Sequence, residues 1–426
     1  MKLIKYPAPD TWEVLTARPV LTSEALESSV INIMNLIREL GDQALINLTN
    51  KFDGITLKKI YHPVPKTIKG LSANLKRAIN TAFENISTFH QDQMDSGNVV
   101  ETMPGVNCWR KSLPIEKVGL YVPGGSAPLF STMLMLGIPA QLAGCRQMVV
   151  CTPPQKDGTI HPALMYIAQL LQIEGIYAVG GAQAVAAMAF GTETVPSVYK
   201  IFGPGNQYVT EAKRQVAASG LAIDFPAGPS EVAILGDATA QPKFIAADLL
   251  SQAEHGADSQ VMFATDSEPL IQEVLKDLEH QLISLPRREI AQQALNQSKM
   301  LLFKNLDEAM DFINNYAPEH FIINTAEPLK WADKVINAGS VFLGPYTPES
   351  VGDYASGTNH TLPTDGNARM YAGVSLDSFV KKVTFQQLTP EGLNNIGPAV
   401  ELMAKAEGLE AHRRSVSIRR EYLNRQ

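Results

Sequence analysis

Short apolar runs alternate with helical segments along most of the chain, in two series. In the first series the runs are KVGLYV, QMVVCT, IYAVG and YKIFG, between residues 117 and 203. In the second they are EVAIL, VMFA, LLF, HFIIN and SVFLG, between residues 231 and 344, with helical patterns such as 307–315 and 329–338 between them. Such runs, bounded by turn residues, indicate buried strands. The alternation predicts an α/β fold with two doubly wound parallel sheets, each an incomplete Rossmann-like unit.

Helical patterns flank the two series. Residues 22–50 begin with a Thr-Ser cap and continue as a long amphipathic helix, which we expect to pack on a core formed by later residues. Thr389 and Pro390 begin a helical tail. The pattern divides the chain into an N-terminal arm (1–20), a discontinuous α/β domain (21–116 with 232–374), a second α/β domain (117–231) and a C-terminal helical tail (375–426).

Glycine-rich turns follow three of the predicted strands: YVPGGSAP (121–128), VGGAQAV (179–185) and FGPGNQYV (202–209). None is a standard nucleotide motif, because Gly125 stands where a P-loop has its lysine and Tyr208 stands where the Rossmann fingerprint has its last glycine. Each can be a tight turn and nothing more. Glycine turns that open helices also bind anions through free N–H groups. Three of them in one half of the chain favour a nucleotide there.

Composition and charge exclude several classes of protein. The longest apolar run, residues 133–142, is too short to span a bilayer, and the N-terminal stretch lacks the apolar region of a signal peptide. The net charge of −7 argues against general nucleic-acid binding, and we interpret the basic stretch HRRSVSIRREYLNR as a solvated helix face. Three cysteines without a CxxC pair favour a reducing compartment. We expect a cytoplasmic protein with no membrane or nucleic-acid partner.

The stretch SQAEHGADSQ (251–260) carries the first candidate chemistry. A helix after the strand EVAIL is predicted to end near Gly256, so Gln252 and His255 lie at positions i and i+3 on one face near its end. Their side chains can converge on one object.

Four histidines stand near carboxylates: His255, His320, His360 and His412. Each alone can be a hydrogen-bonded histidine beside a solvated acid. Together, imidazole, carboxylate and amide oxygen suit a divalent transition metal, most often Zn²⁺. The chain has no HExxH motif, so the usual zinc peptidase is excluded.

Glu319 and His320 lie between a predicted helix and the strand HFIIN. Neighbouring side chains on a strand point to opposite faces, so the pair can serve one site in two proton transfers only if the backbone bends, which Pro318 favours. Beyond Tyr346 comes a long stretch without clear periodicity, and such loops usually carry function.

At this point the motifs form a recognisable set. SQAEHGADSQ, APEH, ESVGDYASGTNHTLPT, LYVPGGSAPLFST, GGAQAVAAMAFGT, FGPGNQYVTEAKRQV, FPAGPSEV and EGLEAH together resemble the histidinol dehydrogenase family, over nearly the whole chain. The resemblance implies oxidation of L-histidinol through L-histidinal to L-histidine, the last steps of histidine biosynthesis, with two NAD⁺ and one zinc ion per subunit. It also implies an intertwined homodimer.

The resemblance assigns roles residue by residue. It implies the zinc ligands Gln252, His255, Asp353 and His412, the acid/base pair Glu319 and His320, and NAD contacts at Tyr121, Gln183 and Asn206. It places Ser230, His360 and Glu407 around the substrate, together with the zinc ligands and the acid/base pair. Glu407 and His412 would reach into the site of the partner subunit.

Other functions stay open at this stage. A metal-dependent hydrolase would use the same ligands with a metal-bound water and would act without NAD. A non-catalytic metal-binding protein would have no use for Glu319 and His320. A relative within the family could oxidise another small alcohol. Cys108 and Cys151 could form a thiohemiacetal, but neither stands in a reactive-cysteine context.

Overall fold

The structure, a computed structural model, describes residues 1–18, 23–94, 97–124, 129–226 and 228–425. Numbered in chain order, its strands are β1 (Lys2–Lys5), β2 (Tyr61–Pro63), β3 (Val100–Met103), β4 (Val106–Pro114), β5 (Lys117–Tyr121), β6 (Gln147–Thr152), β7 (Gly175–Ala178), β8 (Lys200–Phe202), β9 (Ala222–Ile223), β10 (Glu231–Gly236), β11 (Gln260–Thr265), β12 (Lys299–Leu302), β13 (His320–Asn324), β14 (Ser340–Leu343) and β15 (Val380–Leu388). Its helices are α1 (Trp12–Thr16), α2 (Glu24–Asp53), α3 (Ala73–Gln91), α4 (Phe130–Ala143), α5 (Pro162–Leu170), α6 (Gly181–Phe190), α7 (Gln207–Ala218), α8 (Pro242–Ala253), α9 (Glu268–Leu282), α10 (Arg288–Gln297), α11 (Leu306–Tyr316), α12 (Pro328–Ala332), α13 (Glu349–Tyr354), α14 (Pro390–Ala406) and α15 (Glu410–Leu423). The predicted α/β class is confirmed.

The first series of apolar runs forms one six-stranded sheet, in the order β2-β7-β6-β5-β8-β9. Its pairs are parallel except at the edge, where β2 runs antiparallel to β7. Buried residues of α3, α4 and α5 form the core on one face, and those of α2, α6 and α7 form the core on the other. Apolar runs are continuous here because both faces of the sheet are covered.

The second series forms an all-parallel sheet in the order β1-β12-β11-β10-β13-β14. Strand β10 lies inside it and is buried along its whole length. Its side chains alternate between two cores: Val232 and Ile234 pack with α8, α9 and α10, whereas Ala233 and Leu235 pack with α11. Among the described helices, none combines the length and apolar content needed to cross a membrane.

Three parts of the predicted organisation differ from the structure. Helices α2 and α3, grouped by sequence with 232–374, pack on the first sheet instead: α2 contacts α6 and α7, and α3 contacts α4. The tail from 375 is not wholly helical, since β15 pairs antiparallel with β4, which pairs with β3. Phe385 stacks there on Trp109 of the neighbouring strand. The N-terminal arm supplies the edge strand β1.

A cavity lies between the two large sheets, at the carboxyl ends of the strands of the first sheet and the amino ends of the strands of the second. The cavity between them is lined by residues that follow the carboxyl ends of β5 and β8, such as Pro123 and Asn206. From the second sheet it is lined by residues at the amino ends of β10 and β13, such as Ser230 and Glu319. The carboxyl edge of one sheet therefore faces the amino edge of the other.

Candidate active site

The cavity between the sheets has a volume of about 790 Å³ and gathers most of the residues predicted from sequence. The predicted residues that line it are Asn206, Ser230, Gln252, His255, Glu319, His320, Asp353 and His360. They come from five separate stretches of chain: the turn before α7, the start of β10, the end of α8, the α11–β13 junction, and the segment after Tyr346.

Gln252 lies in the last turn of α8, which ends at Ala253 rather than near Gly256, and His255 lies in the turn that follows, with its N–H donating to the Gln252 backbone oxygen at 3.2 Å. The side-chain Nε2 of Gln252 donates to the backbone oxygen of Glu231 at 2.9 Å. Its Oε1 is buried and has no hydrogen-bond partner among the described residues. Partial burial lowers the pKa of His255, so its imidazole is neutral at pH 7. A free amide oxygen and a neutral imidazole on one wall are suitable ligands for a cation.

The backbone bends before Glu319 and His320, as it must if both side chains are to face one site. Ala317 adopts a left-handed conformation, with φ of 54°, and ends α11 just before the pair. Both side chains then line the cavity. The carboxylate Oε2 of Glu319 accepts a hydrogen bond from the backbone N–H of Glu231 at 2.8 Å and lies 3.6 Å from His320 Nδ1.

Burial and charge shift the protonation of this pair. Burial raises the pKa of Glu319 to about 8, with the positive charge of His320 opposing it in part. Burial also lowers the pKa of His320, but the surrounding carboxylates, foremost Glu349, outweigh it and raise that pKa well above its usual value. Perturbed titratable groups that face one cavity are typical of acid/base sites.

The segment after Tyr346, which its lack of periodicity marks as a candidate functional loop, also lines the cavity. It contains the short helix α13, which carries Asp353, and the loop that carries His360. His360 Nδ1 lies 2.7 Å from the backbone oxygen of Asp353, and its Nε2 lies 3.2 Å from Thr132 Oγ1 in α4. Asp353 Oδ1 lies 3.3 Å from His320 Nε2.

Comparison with known proteins places this geometry in a family. A family model described as histidinol dehydrogenase matches residues 16–420. The chain belongs to the histidinol dehydrogenase family. Membership makes it an oxidoreductase and confirms the family predicted from the motifs.

Relatives are similar over the full length. Histidinol dehydrogenase from Bacteroides thetaiotaomicron is 56% identical over 422 residues, covering 98% of this chain and 99% of that protein. The one from Bacteroides fragilis strain YCH46 is 53% identical over 428 residues, covering 100% of both. A crystal structure of histidinol dehydrogenase from Elizabethkingia anophelis has a TM-score of 0.96 at 52% identity, covering 100% of this chain and 99% of that one. An acetylating aldehyde dehydrogenase from Geobacillus thermoglucosidasius, with a TM-score of 0.50 at 13% identity over 88% of this chain and 93% of that one, shares the fold alone.

Two of the residues that the histidinol dehydrogenase resemblance assigns to NAD are not among the described residues that line the cavity. Tyr121 is buried, and its hydroxyl accepts a hydrogen bond from the Gly181 N–H at 3.1 Å. Gln183 is buried in the first turn of α6. Asn206 both caps α7, through its side chain, and lines the cavity. Residues 125–128 of the first glycine turn lie outside the described residues.

Glu407 and His412, which histidinol dehydrogenases would place in the partner's site, are exposed. Glu407 ends α14, and His412 lies in the first turn of α15. Neither is among the described residues that line the cavity. Cys108 and Cys151 do not line it either, and burial raises the pKa of the Cys151 thiol far above its usual value.

The sequence did not predict the role of Glu231, whose backbone contacts Glu319, Gln252 and His320. Its backbone N–H holds Glu319, and its backbone oxygen accepts from Gln252 and lies 3.0 Å from His320 Nδ1. Its buried carboxylate is held in turn by Arg18, with Nε to Oε1 and Nη2 to Oε2 both at 2.9 Å. A charged residue that opens the apolar run EVAIL was the available signal for Glu231. Arg18, in the arm, had none.

Proposed function

We propose that this chain oxidises L-histidinol to L-histidinal and then to L-histidine, with two NAD⁺ and one zinc ion. Family membership supports the substrate. The observation that carries the proposal is the convergence of cation ligands and an acid/base pair on one cavity wall: Gln252, His255 and Asp353 beside Glu319 and His320.

The residues present fit a zinc ion. Gln252 Oε1 is a buried oxygen without a hydrogen-bond partner among the described residues, Asp353 supplies a buried carboxylate oxygen 3.3 Å from His320 Nε2, and His255 supplies a neutral nitrogen. Buried polar atoms are nearly always satisfied, so the Gln252 oxygen calls for a positive partner. Bound there, zinc would act as a Lewis acid that holds the amino and imidazole nitrogens of the substrate.

His320 is proposed as the base that takes the alcohol proton. Its Nδ1 lies 3.0 Å from both the backbone oxygen of Glu231 and the Nε2 of Gln252, and in the tautomer whose Nδ1 donates to that oxygen, Nε2 is the basic nitrogen. Nε2 is buried 3.3 Å from Asp353 Oδ1, and the side chain lines the cavity. The carboxylates that raise the pKa of His320 include Asp353, so a cation bound at Asp353 would oppose that rise and leave the ring free to receive a proton.

Glu319 is proposed to activate water for the second oxidation. Its carboxylate is fixed by the Glu231 N–H, and its pKa of about 8 lies close to neutral pH. A general base works best when its pKa is near the working pH, because it can then both accept and release a proton.

NAD is proposed to bind along the glycine turns of the first, Rossmann-like sheet. The Asn206 side chain reaches the cavity directly, and bound NAD⁺ would accept the hydride. Tyr121 and Gln183 remain proposed contacts. The hydrogen bond from Gly181 to Tyr121 supports the turn that opens α6.

A homodimer is proposed to complete the site, with His412 and Glu407 donated between subunits. The hairpin of α14 and α15 exposes Leu402, Met403 and Tyr422, an apolar surface that a second subunit can cover. Exposure of His412 on this hairpin is compatible with a ligand that serves another chain.

The deciding measurement is the number of NADH formed for each histidinol consumed. A ratio near two supports the proposal, and no histidinol-dependent NADH refutes it. Other small amino alcohols, assayed in parallel, test the alternative that this family member prefers another alcohol.

A further inference from the structure

A buried ion pair joins Lys213 in α7 to Asp224, the residue after β9. Their side chains are only 3% and 1% exposed. Neither is among the described residues that line the cavity. A buried ion pair is weak evidence for stability, because taking both charges out of water costs about as much as their attraction returns. The histidinol dehydrogenase resemblance gives the pair no role, but its contacts indicate one.

Both members of the pair hold the backbone of Gly203, in the third glycine turn. The Lys213 ammonium donates to the Gly203 oxygen at 2.9 Å, and Oδ2 of Asp224 accepts from the Gly203 N–H at 2.8 Å. The peptide groups on both sides of the Gly203 Cα are therefore fixed by one ion pair. Hydrogen bonds to charged groups are about twice as strong as those between neutral groups.

Gly203 needs such fixing because its conformation is unusual. Its φ is 126°, which side chains rarely allow, and a Cβ there would lie 2.1 Å from the backbone oxygen of Tyr121. The third glycine turn therefore passes directly against the start of the first. Glycine has more backbone freedom than any other residue, so a turn that depends on it keeps one conformation only when neighbouring groups hold it.

The turn that the pair holds forms part of the cavity. Residues 204–207, which follow Gly203, all line it. Oδ1 of Asn206 caps α7 by accepting from the N–H groups of Tyr208 and Val209, at 3.1 and 3.2 Å. The amino end of α7 thus lies at the cavity, where its dipole favours an anion such as the pyrophosphate of NAD.

We propose that Lys213 and Asp224 are positioning residues for NAD⁺: by fixing Gly203 they place the glycine turn and the amino end of α7 for the dinucleotide. The opposite charges suit this task. A lone aspartate so close to the turn would repel an anion bound there, and Lys213 cancels that charge. This inference rests on the NAD site of the proposed function.

The test measures ligand binding by the zinc-loaded, full-length wild type and by Lys213→Met. Calorimetry gives the Kd of NAD⁺ with the proposed product L-histidine present, so that no turnover occurs, and the Kd of histidinol without NAD⁺. Lys213 is the partner to change, because Asp224 also accepts from the Phe225 N–H, at 2.8 Å, at the start of the segment that reaches Ser230. We expect NAD⁺ to bind roughly 10- to 100-fold more weakly to Lys213→Met, since misplacing a positioning group by about 1 Å costs up to about 100-fold. Histidinol binding should be unchanged.

Lys200→Met is the matched control. Burial lowers the pKa of Lys200 and the charge of Asp224 opposes this in part, so Lys200 is also a partly buried lysine close to Asp224. Its ammonium donates to the Ser378 oxygen at 2.9 Å rather than to the glycine turn. NAD⁺ binding should therefore be unchanged in Lys200→Met.

The double variant Lys213→Met/Asp224→Asn separates position from charge. It leaves no unpaired charge in place of the pair, so it also serves if Lys213→Met alone does not fold, which thermal unfolding shows. We expect it to bind NAD⁺ as weakly as Lys213→Met, because the Gly203 oxygen still lacks its donor.

Wild-type NAD⁺ affinity in both variants would overturn the inference, and so would an equal loss of histidinol binding, which indicates a general loosening of the fold. Recovery of NAD⁺ binding in the double variant would overturn it too, since the effect would then come from the charge of Asp224. A double variant that does not fold would likewise overturn it, because the pair would then hold the fold rather than the turn. Wild-type protein that binds no NAD⁺ and forms no NADH from histidinol would instead refute the proposed function itself.

Discussion

The ion pair between Arg18 and Glu231 ties the N-terminal arm to the site, and its removal should be costly. The guanidinium binds both carboxylate oxygens at 2.9 Å and stacks on the Tyr316 ring at 3.8 Å. Both side chains of the ion pair are buried. Arg18→Met leaves the carboxylate of Glu231 buried, and the Asp365 N–H, at 3.0 Å, is then its one hydrogen-bond donor among the described residues.

Breaking one half of a buried pair costs about 3 to 5 kcal/mol, because the remaining charge is uncompensated. We expect a loss of this size in the free energy of unfolding for Arg18→Met. Urea unfolding followed by tryptophan fluorescence measures it, since Trp12 and Trp331 both lie in the core of the second sheet. The double variant Arg18→Met/Glu231→Gln should recover part of the loss, because no buried charge is left.

Arg38→Met is the matched control. Arg38 also lies over an aromatic ring, 4.0 Å from the centroid of Phe190, but it is exposed. Arg38→Met should lower the free energy of unfolding by no more than about 1 kcal/mol. If Arg18→Met and Arg38→Met unfold within about 0.5 kcal/mol of each other, the ion pair does not hold Glu231 in place and the reasoning is wrong.

Three further predictions concern the site and its surroundings. His320→Asn should lower turnover about 10²- to 10⁴-fold with zinc content unchanged, since a positioned base accelerates a reaction by about this factor. Unchanged turnover in a sample with the same zinc content as the wild type would show that His320 is not the base. Burial raises the pKa of Asp248 from 3.8 to about 7, so the folded state keeps this proton to a higher pH than the unfolded state does. The free energy of unfolding of the wild type therefore falls as pH rises from 4 to 7. The free energy of unfolding of Asp248→Asn, measured with urea, should therefore exceed that of the wild type by up to roughly 4 kcal/mol at pH 8 and by little at pH 4. An equal difference at both pH values would contradict this. In a purified mixed dimer of His255→Asn and His412→Asn, one site carries both defects and the other none, so about half of the wild-type activity should return; an inactive mixed dimer argues that His412 serves its own chain.

Local pattern was enough for the strands and for part of the site. HFIIN and QMVVCT have the same bounds as β13 and β6, because a strand buried on both faces is a continuous apolar run. The shared placement of Gln252 and His255 at the cavity was predicted from helix periodicity, although α8 ends at Ala253 and His255 follows it in a turn.

The packing and strand pairing of segments far apart in the chain could not be predicted from the sequence. Which sheet α2 covers depends on how its apolar face fits α6, and the pairing of β15 with β4 joins residues far apart in the chain. Glu231 escaped notice for a different reason: it acts on the site through its peptide groups, and backbone hydrogen bonds leave no mark on residue type.

The meeting of a carboxyl edge with an amino edge gives the cavity an electrical polarity. In a parallel α/β layer the helices run back against the strands, so the amino edge of the second sheet collects helix carboxyl ends, among them that of α8 at Gln252. The carboxyl edge of the first sheet collects helix amino ends, among them that of α7 at Asn206. Peptide dipoles make the former wall negative and the latter positive. The chain direction of the two sheets would thereby favour the proposed metal cation at one wall and the pyrophosphate of the proposed NAD at the other, before any charged side chain contributes.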